Sequence, residues 1–185
     1  MAATDVAFAV ERSFLAQEFL TWLWFRTEVE GGEFDLDGRH VAIVVEDSLS
    51  LCGWDDEGPR TSLRGGNPTL RAEAAGALAN GLMLHKAKLI AAEGNREWQF
   101  TLDTESLDLL SVKVPALEED DEVEDPLAEK LGAGEWLRET VDALFESFLA
   151  LRLSGDWQKI EVPRLEHWVR VKVERAHADA DKRAN

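Results

Sequence analysis

The stretch Phe14–Glu30, FLAQEFLTWLWFRTEVE, constrains the fold more than any other part of the chain. At a helical spacing of about 100° per residue its apolar side chains cover more than one face. Leu15, Phe19, Trp22, Leu23 and Val29 fall on one broad side, Leu20 and Trp24 lie beyond its edge, and only Gln17, Thr21 and Glu28 form a polar seam. A helix that is apolar nearly all round is covered on most of its circumference. The expectation is a core helix whose less certain flank, at Leu20 and Trp24, is a partner or dimer interface. On that reading Trp24 is more exposed than Phe19 or Leu23 in an isolated chain.

The rest of the chain supplies a sheet and more helices. The N-terminal TDVAFAV alternates partly and reads as a short strand, and Glu30-Gly31-Gly32 ends the first helix. Arg39–Leu51 is rich in β-branched residues and reads as strand, broken near Glu46-Asp47 into a hairpin. Residues 53–67 have loop chemistry, and Asn67-Pro68 opens a helix through about Ala79. Leu82–Ala92, Arg96–Leu102 and Leu107–Val114 form a meander, with Glu93-Gly94-Asn95 as a tight turn. In it Trp98, Phe100 and Leu102 share a face with Gln99 and Thr101 opposite, and Leu110, Val112 and Val114 point one way with Ser111 and Lys113 the other, the sign of a sheet with one side on a core. Seven acids in the eight residues Glu118–Asp125 repel one another and predict a flexible acidic loop at about 117–126. Pro126 begins a short turn, Glu135–Leu153 is a strongly amphipathic helix, and Pro163 opens a last one that frays from about residue 178. The fold class is therefore α+β: one domain over 1–185, an antiparallel sheet (meander plus hairpin) packed with several amphipathic helices.

A hydrophobic fraction of 45% in 185 residues is enough for a real core. The formal net charge of −17 first of all favours solubility, and it argues against a simple basic nucleic-acid binder without excluding a local basic surface. Cys52 is the single cysteine, so no internal disulfide forms, and its apolar surroundings make it a small buried hydrophobe. No signal peptide is visible, and Phe19–Phe25 falls short of the ~20 residues that cross a bilayer. A cytoplasmic protein without membrane contact is expected.

The search for catalysis finds no phosphate loop, no GxGxxG, no GxSxG elbow and no His-Glu-x-x-His pair. His40, His85, His167 and His177 are scattered. Asp47 with Lys86 and Lys88 fits a carboxylate–lysine nuclease core only by force. The expectation is no enzyme, no catalytic residue, no metal, no cofactor and no small-molecule substrate. Positive charge instead gathers on the meander at His85, Lys86, Lys88, Arg96 and Lys113, with Arg60, Arg64 and Arg71 before it. Such side chains are the usual partners of phosphate backbones. Lys86 and Lys88 share strand parity with Leu84 and Ile90, however, so that face is not cleanly polar, and a solvated face balancing nearby acids explains it equally well.

The combination FLAQEFLTWLWFRTE, ANGLMLHKAKL, EWQFTLD and SVKVP, in that order, resembles the recombination-associated protein RdgC family over roughly Phe14–Trp157. The resemblance is to the later part of that family, whose usual N-terminal domain precedes the tryptophan-rich helix. It implies a non-enzymatic, nucleoid-associated protein that binds duplex DNA with little sequence preference during recombination or replication. It also implies a homodimer, which in the family is a ring around DNA, and no cofactor. Lys86, Lys88, Arg96 and Lys113 are the nucleic-acid-binding residues it suggests. The competing expectation is an acidic protein-interaction module that binds a basic partner or mimics nucleic acid.

Overall fold

The computed structural model describes residues 3–53, 59–116 and 126–184, with side chains at 15–53, 59–116 and 127–178. The acidic run Glu118–Asp125 lies outside the described residues. Helix α1 spans Ala3–Val29, followed by strands β1 (Glu33–Leu36), β2 (Arg39–Cys52) and β3 (Arg60–Arg64). After a 3-10 turn at Pro68–Leu70 come helix α2 (Ala72–Ala79) and strands β4 (Met83–Glu93), β5 (Arg96–Asp103) and β6 (Asp108–Lys113). Helices α3 (Pro126–Leu153) and α4 (Val162–Ala184) complete the chain. This is an α+β fold with one antiparallel sheet of six strands, in the order β1-β2-β4-β5-β6, with β3 on the same edge of β2 as β1. Among the described residues no helix is long and apolar enough to cross a membrane.

Five local expectations are corrected. TDVAFAV is the start of α1, because nothing between Val6 and Phe14 breaks a helix and the alanines favour one. Residues 39–52 form one strand with no hairpin at Glu46-Asp47, where no residue supplies the positive φ of a tight turn. The hairpin lies earlier, at Asp37 (φ 53) and Gly38 (φ 82), and it pairs the unexpected β1 with β2. Part of the supposed loop is β3, paired with Ser48–Cys52. Pro126 starts α3 itself, since proline at a first helical position loses no needed N–H.

Pro163 sits just inside α4, where it cannot donate to the preceding turn. The chain takes a wide π-type turn at Trp157–Glu161, and the Val162 N–H reaches back five residues to the Trp157 carbonyl. α4 then continues through Ala184.

One face of the sheet is the core. Ala87, Leu89 and Ala91 of β4 pair with Leu102, Phe100 and Trp98 of β5, and all six are buried. α1 lies on this face, and α3 closes over it through an aromatic cluster. Phe19 meets Phe145 at 5.2 Å and Phe148 at 5.6 Å, and Trp22 meets Phe148 at 5.5 Å, between ring centroids. Burial of each such large side chain contributes about 1.5–3 kcal/mol.

Leu20 and Trp24 are each 0% exposed, the same as Phe19, so neither offers a partner or dimer interface. α4 is the reason. Trp24 packs edge-on to Trp168 at 5.1 Å, and Lys172 places its ammonium 4.7 Å from the centre of the Trp24 ring. The flank expected to await a second chain is covered by the C-terminal helix of its own.

The polar seam of α1 also finds its partners within the chain. Gln17 Nε2 reaches Cys52 Sγ at 3.6 Å, and Thr21 Oγ1 accepts the Leu84 N–H at 2.9 Å. Glu28 accepts from Trp24 Nε1 (2.6 Å), Trp168 Nε1 (3.0 Å) and Lys172 Nζ (2.8 Å). Lys172 also donates to the Thr69 carbonyl at 2.6 Å. Burial pushes its ammonium below the ordinary value of 10.5; Glu28 opposes that effect and Arg175 adds to it.

This packing makes three predictions. Gly31 (φ +77) and Gly32 (φ +71) both end α1 in the left-handed region, but only Gly32 has a neighbour, because a Cβ there would meet the Ile43 carbonyl oxygen at 2.1 Å. In denaturant unfolding, Gly31→Ala should cost about 1 kcal/mol and Gly32→Ala about 3 kcal/mol or more. Glu28→Ala strands a buried cation and should cost about 3–5 kcal/mol, whereas the double change Glu28→Gln with Lys172→Met restores part of the loss. A folded lysine pKa below the unfolded one means that the unfolded state binds more protons between the two values, so stability rises with pH there. Lys172→Met should remove that rise, which no tyrosine masks in this chain.

Candidate nucleic-acid interface

Among the described residues the opposite face of the sheet carries no helix, and two irregularities decide what it displays. On β2, Val45 pairs with Leu89 and Leu49 with Ala87, so Glu46, Asp47 and Ser48 together stand opposite Lys88 alone. Further along, Ser50 pairs with Lys86 but Leu51 pairs with Leu84, which makes His85 an extra residue on β4. A one-residue bulge reverses the side-chain alternation. Leu84 therefore faces the core with no exposed surface, while Lys86, two residues on, faces water beside Lys88 and Ile90. The parity that blurred this face in the sequence holds only for Ile90.

Around Lys86 and Lys88 the sheet makes a depression of about 350 Å³, also lined by Arg64, Ser48, Ser50, Ser62, Thr101 and Ser111. The hydroxyls of Ser50 and Ser62 are 3.1 Å apart across β2 and β3. Each lysine has an acid. Lys86 meets Asp103 at 2.6 Å; Lys88 meets Glu46 at 2.6 Å and Asp47 at 3.5 Å. The hydrogen bond to Glu46 raises the Lys88 pKa, so its ammonium is held charged. Burial pushes the Asp103 carboxyl up, but Lys86, the Glu105 N–H and nearby His85 outweigh it and hold it below 3.8.

Arg96 and Lys113 are elsewhere. They line a larger depression, about 950 Å³, with Glu97, Glu129, Lys130 and Trp136. The Arg96 guanidinium lies 4.9 Å from the Trp98 ring centre, and Trp98 in turn stacks on Trp136 at 3.7 Å. The four basic residues thus form two separate pairs. β6 is also less regular than its sequence alternation: Ser111 has φ 53, the register shifts opposite Gln99–Thr101, and both Leu110 and Val112 are exposed. Sequence reading passed over Ser48, Ser50 and Ser62, whose shared parity with Arg64 across β2 and β3 emerges only once β3 is known to be a strand.

His85, Asp103 and Glu105 bring one ligand atom each within 4.8 Å of one another, where no metal was expected. Two of them already have partners: Asp103 is held by Lys86, and His85 Nδ1 is 3.3 Å from Thr104 Oγ1. What the depression around Lys86 and Lys88 can do chemically is bind oxyanions through lysine, arginine and hydroxyl groups.

The Lys86–Asp103 pair yields a pH signature. A folded carboxyl pKa below its unfolded value stabilises the chain above the unfolded pKa, and that contribution is lost as pH falls through the folded one. Lys86→Met should lower stability by about 0.5–1 kcal/mol at neutral pH, with the difference vanishing once Asp103 is protonated. Chemical denaturation of both proteins from pH 7 downward checks this.

The chain matches no protein-family model and no curated protein, so the resemblance to the RdgC family rests on the motifs quoted for it.

Proposed function

We propose that this chain is a non-enzymatic, RdgC-like DNA-binding protein that holds the phosphate backbone against the open face of its sheet. The observation that carries the proposal is the depression in which Arg64, Lys86 and Lys88 share one surface with five hydroxyl side chains. Cations and hydroxyls are the groups that contact phosphate oxygens without reading sequence. The acids beside the lysines do not exclude this role. Partly exposed ion pairs are worth ~0–1 kcal/mol, so a phosphate can replace a carboxylate at little cost. They do keep affinity modest and dependent on salt, in keeping with a chain of net charge −17.

Binding of a fluorescent duplex by the isolated chain, followed by anisotropy across a salt series, tests the proposal. Affinity should fall linearly on a log–log plot, and Lys86→Ala and Lys88→Ala should each reduce the slope by about 1. Glu46→Gln frees Lys88 and should tighten binding about threefold or more. Absence of binding at low salt, to duplex and to single strand, sinks the proposal.

The alternative, an acidic protein-interaction module, draws on Leu127 and Leu131, which are two-thirds exposed and one turn apart on α3. Capture of a basic partner that is lost in Leu127→Ser/Leu131→Ser but kept in Lys88→Ala would favour it.

A further inference from the structure

Where α1, the Pro68–Leu70 turn, α2 and α4 meet, they enclose a cleft of about 620 Å³ that the sheet face does not share. This is the size of a small-molecule site. Its walls are largely apolar: Phe25, Val29, Leu70, Pro163, Trp168 and Val171. Leu70 keeps 70% of its surface in water and Val29 49%, so the cleft holds apolar area that no described residue covers.

Its charge is opposite to that of the protein. Arg71, Arg164, Lys172 and Arg175 line it against a single acid, Glu28. Two of the cations are neutralised locally, Lys172 by Glu28 and Arg164 by Glu30 and Glu161. Among the described residues the other two are not. Arg71 donates only to the backbone carbonyls of Arg64 and Gly65, and Arg175 has no carboxylate partner among the described residues. Arg175 is close enough to Lys172 to disfavour its protonation, which an anion between them would relieve.

An apolar wall beside an uncompensated guanidinium selects a ligand with an apolar body and one negative head. We propose that this cleft binds a medium-chain aliphatic carboxylate, its head on Arg175 and Arg71 and its chain along Leu70, Val29 and Val171. The charge of the cleft excludes a basic ligand, and its apolar walls suit an alkyl chain better than a peptide backbone with unmet hydrogen bonds. This site is independent of DNA binding on the sheet and goes beyond it.

Calorimetric titration of the full chain with decanoate tests the assignment. Saturable binding with a Kd of about 10–100 µM is expected, with decanol at least about tenfold weaker because it lacks the charge. Arg175→Gln should weaken decanoate about tenfold, and Leu70→Asp should abolish binding. Both side chains are exposed, so unchanged circular dichroism should confirm that the variants fold. No saturation by about 1 mM decanoate, equal binding of decanol, or indifference of both variants overturns the proposal. So does tighter binding of an oligoglutamate peptide, which would make the site a peptide groove.

Discussion

The carboxylate of Glu28 holds the helical layer together. Near the C-terminal end of α1 it accepts hydrogen bonds from two indoles and an ammonium, which brings Trp168 and Lys172 of α4 onto Trp24. Lys172 passes the connection to the Thr69 carbonyl and so to the turn before α2. A buried charge is tolerated only when paired and hydrogen-bonded, and each part of this network meets that condition through the others. Its consequence is architectural. With α4 secured, the flank of the tryptophan-rich helix at Leu20 and Trp24 is covered by its own chain, and the apolar surplus there is core.

Closure of the helical layer leaves the far side of the sheet as an open, largely polar surface among the described residues. There the deciding features are the two strand irregularities opposite Lys88 and at His85. Without the second, Leu84 and Lys86 would lie on one face and the lysine would be set against the core or the leucine against water. With it, the lysines, Arg64 and the serines of β2 and β3 share a surface. The acids that hold the lysines fix their positions and limit the local field. On the proposed function, phosphate would have to displace a carboxylate, and a modest, salt-sensitive, sequence-tolerant affinity is the expected result of that competition.

Much of this was legible from residue order. The meander could be read because Trp98, Phe100 and Leu102 alternate with polar residues between good turns, and the periodicity of Leu137–Leu151 foretold the helix within α3. The α+β class followed. Two kinds of information were not local. Bulges break the parity on which strand reading depends, so the orientation of Lys86 relative to Leu84 was invisible, as was the left-handed Ser111. Which element covers which flank is a tertiary fact, so Trp24 was assigned to an interface although Trp168 and Lys172, 144 and 148 residues later, cover it. One signal was present and passed over: Asp37-Gly38 is a strong two-residue hairpin turn and marked β1. Of the four basic residues singled out, Lys86 and Lys88 line one depression, while Arg96, set against Trp98, lines a second one with Lys113.

The central claim is that the open sheet face, rather than the tryptophan-rich helix, is where this chain meets DNA. Backbone amide NMR shifts recorded while a short duplex is added test it most directly. The account predicts the largest changes at Ser48–Ser50, Ser62–Arg64, Lys86–Lys88 and Thr101, with the amides of Phe19–Phe25 unmoved. Shifts concentrated on α1 or α4, or none at a duplex concentration that saturates binding, would contradict it.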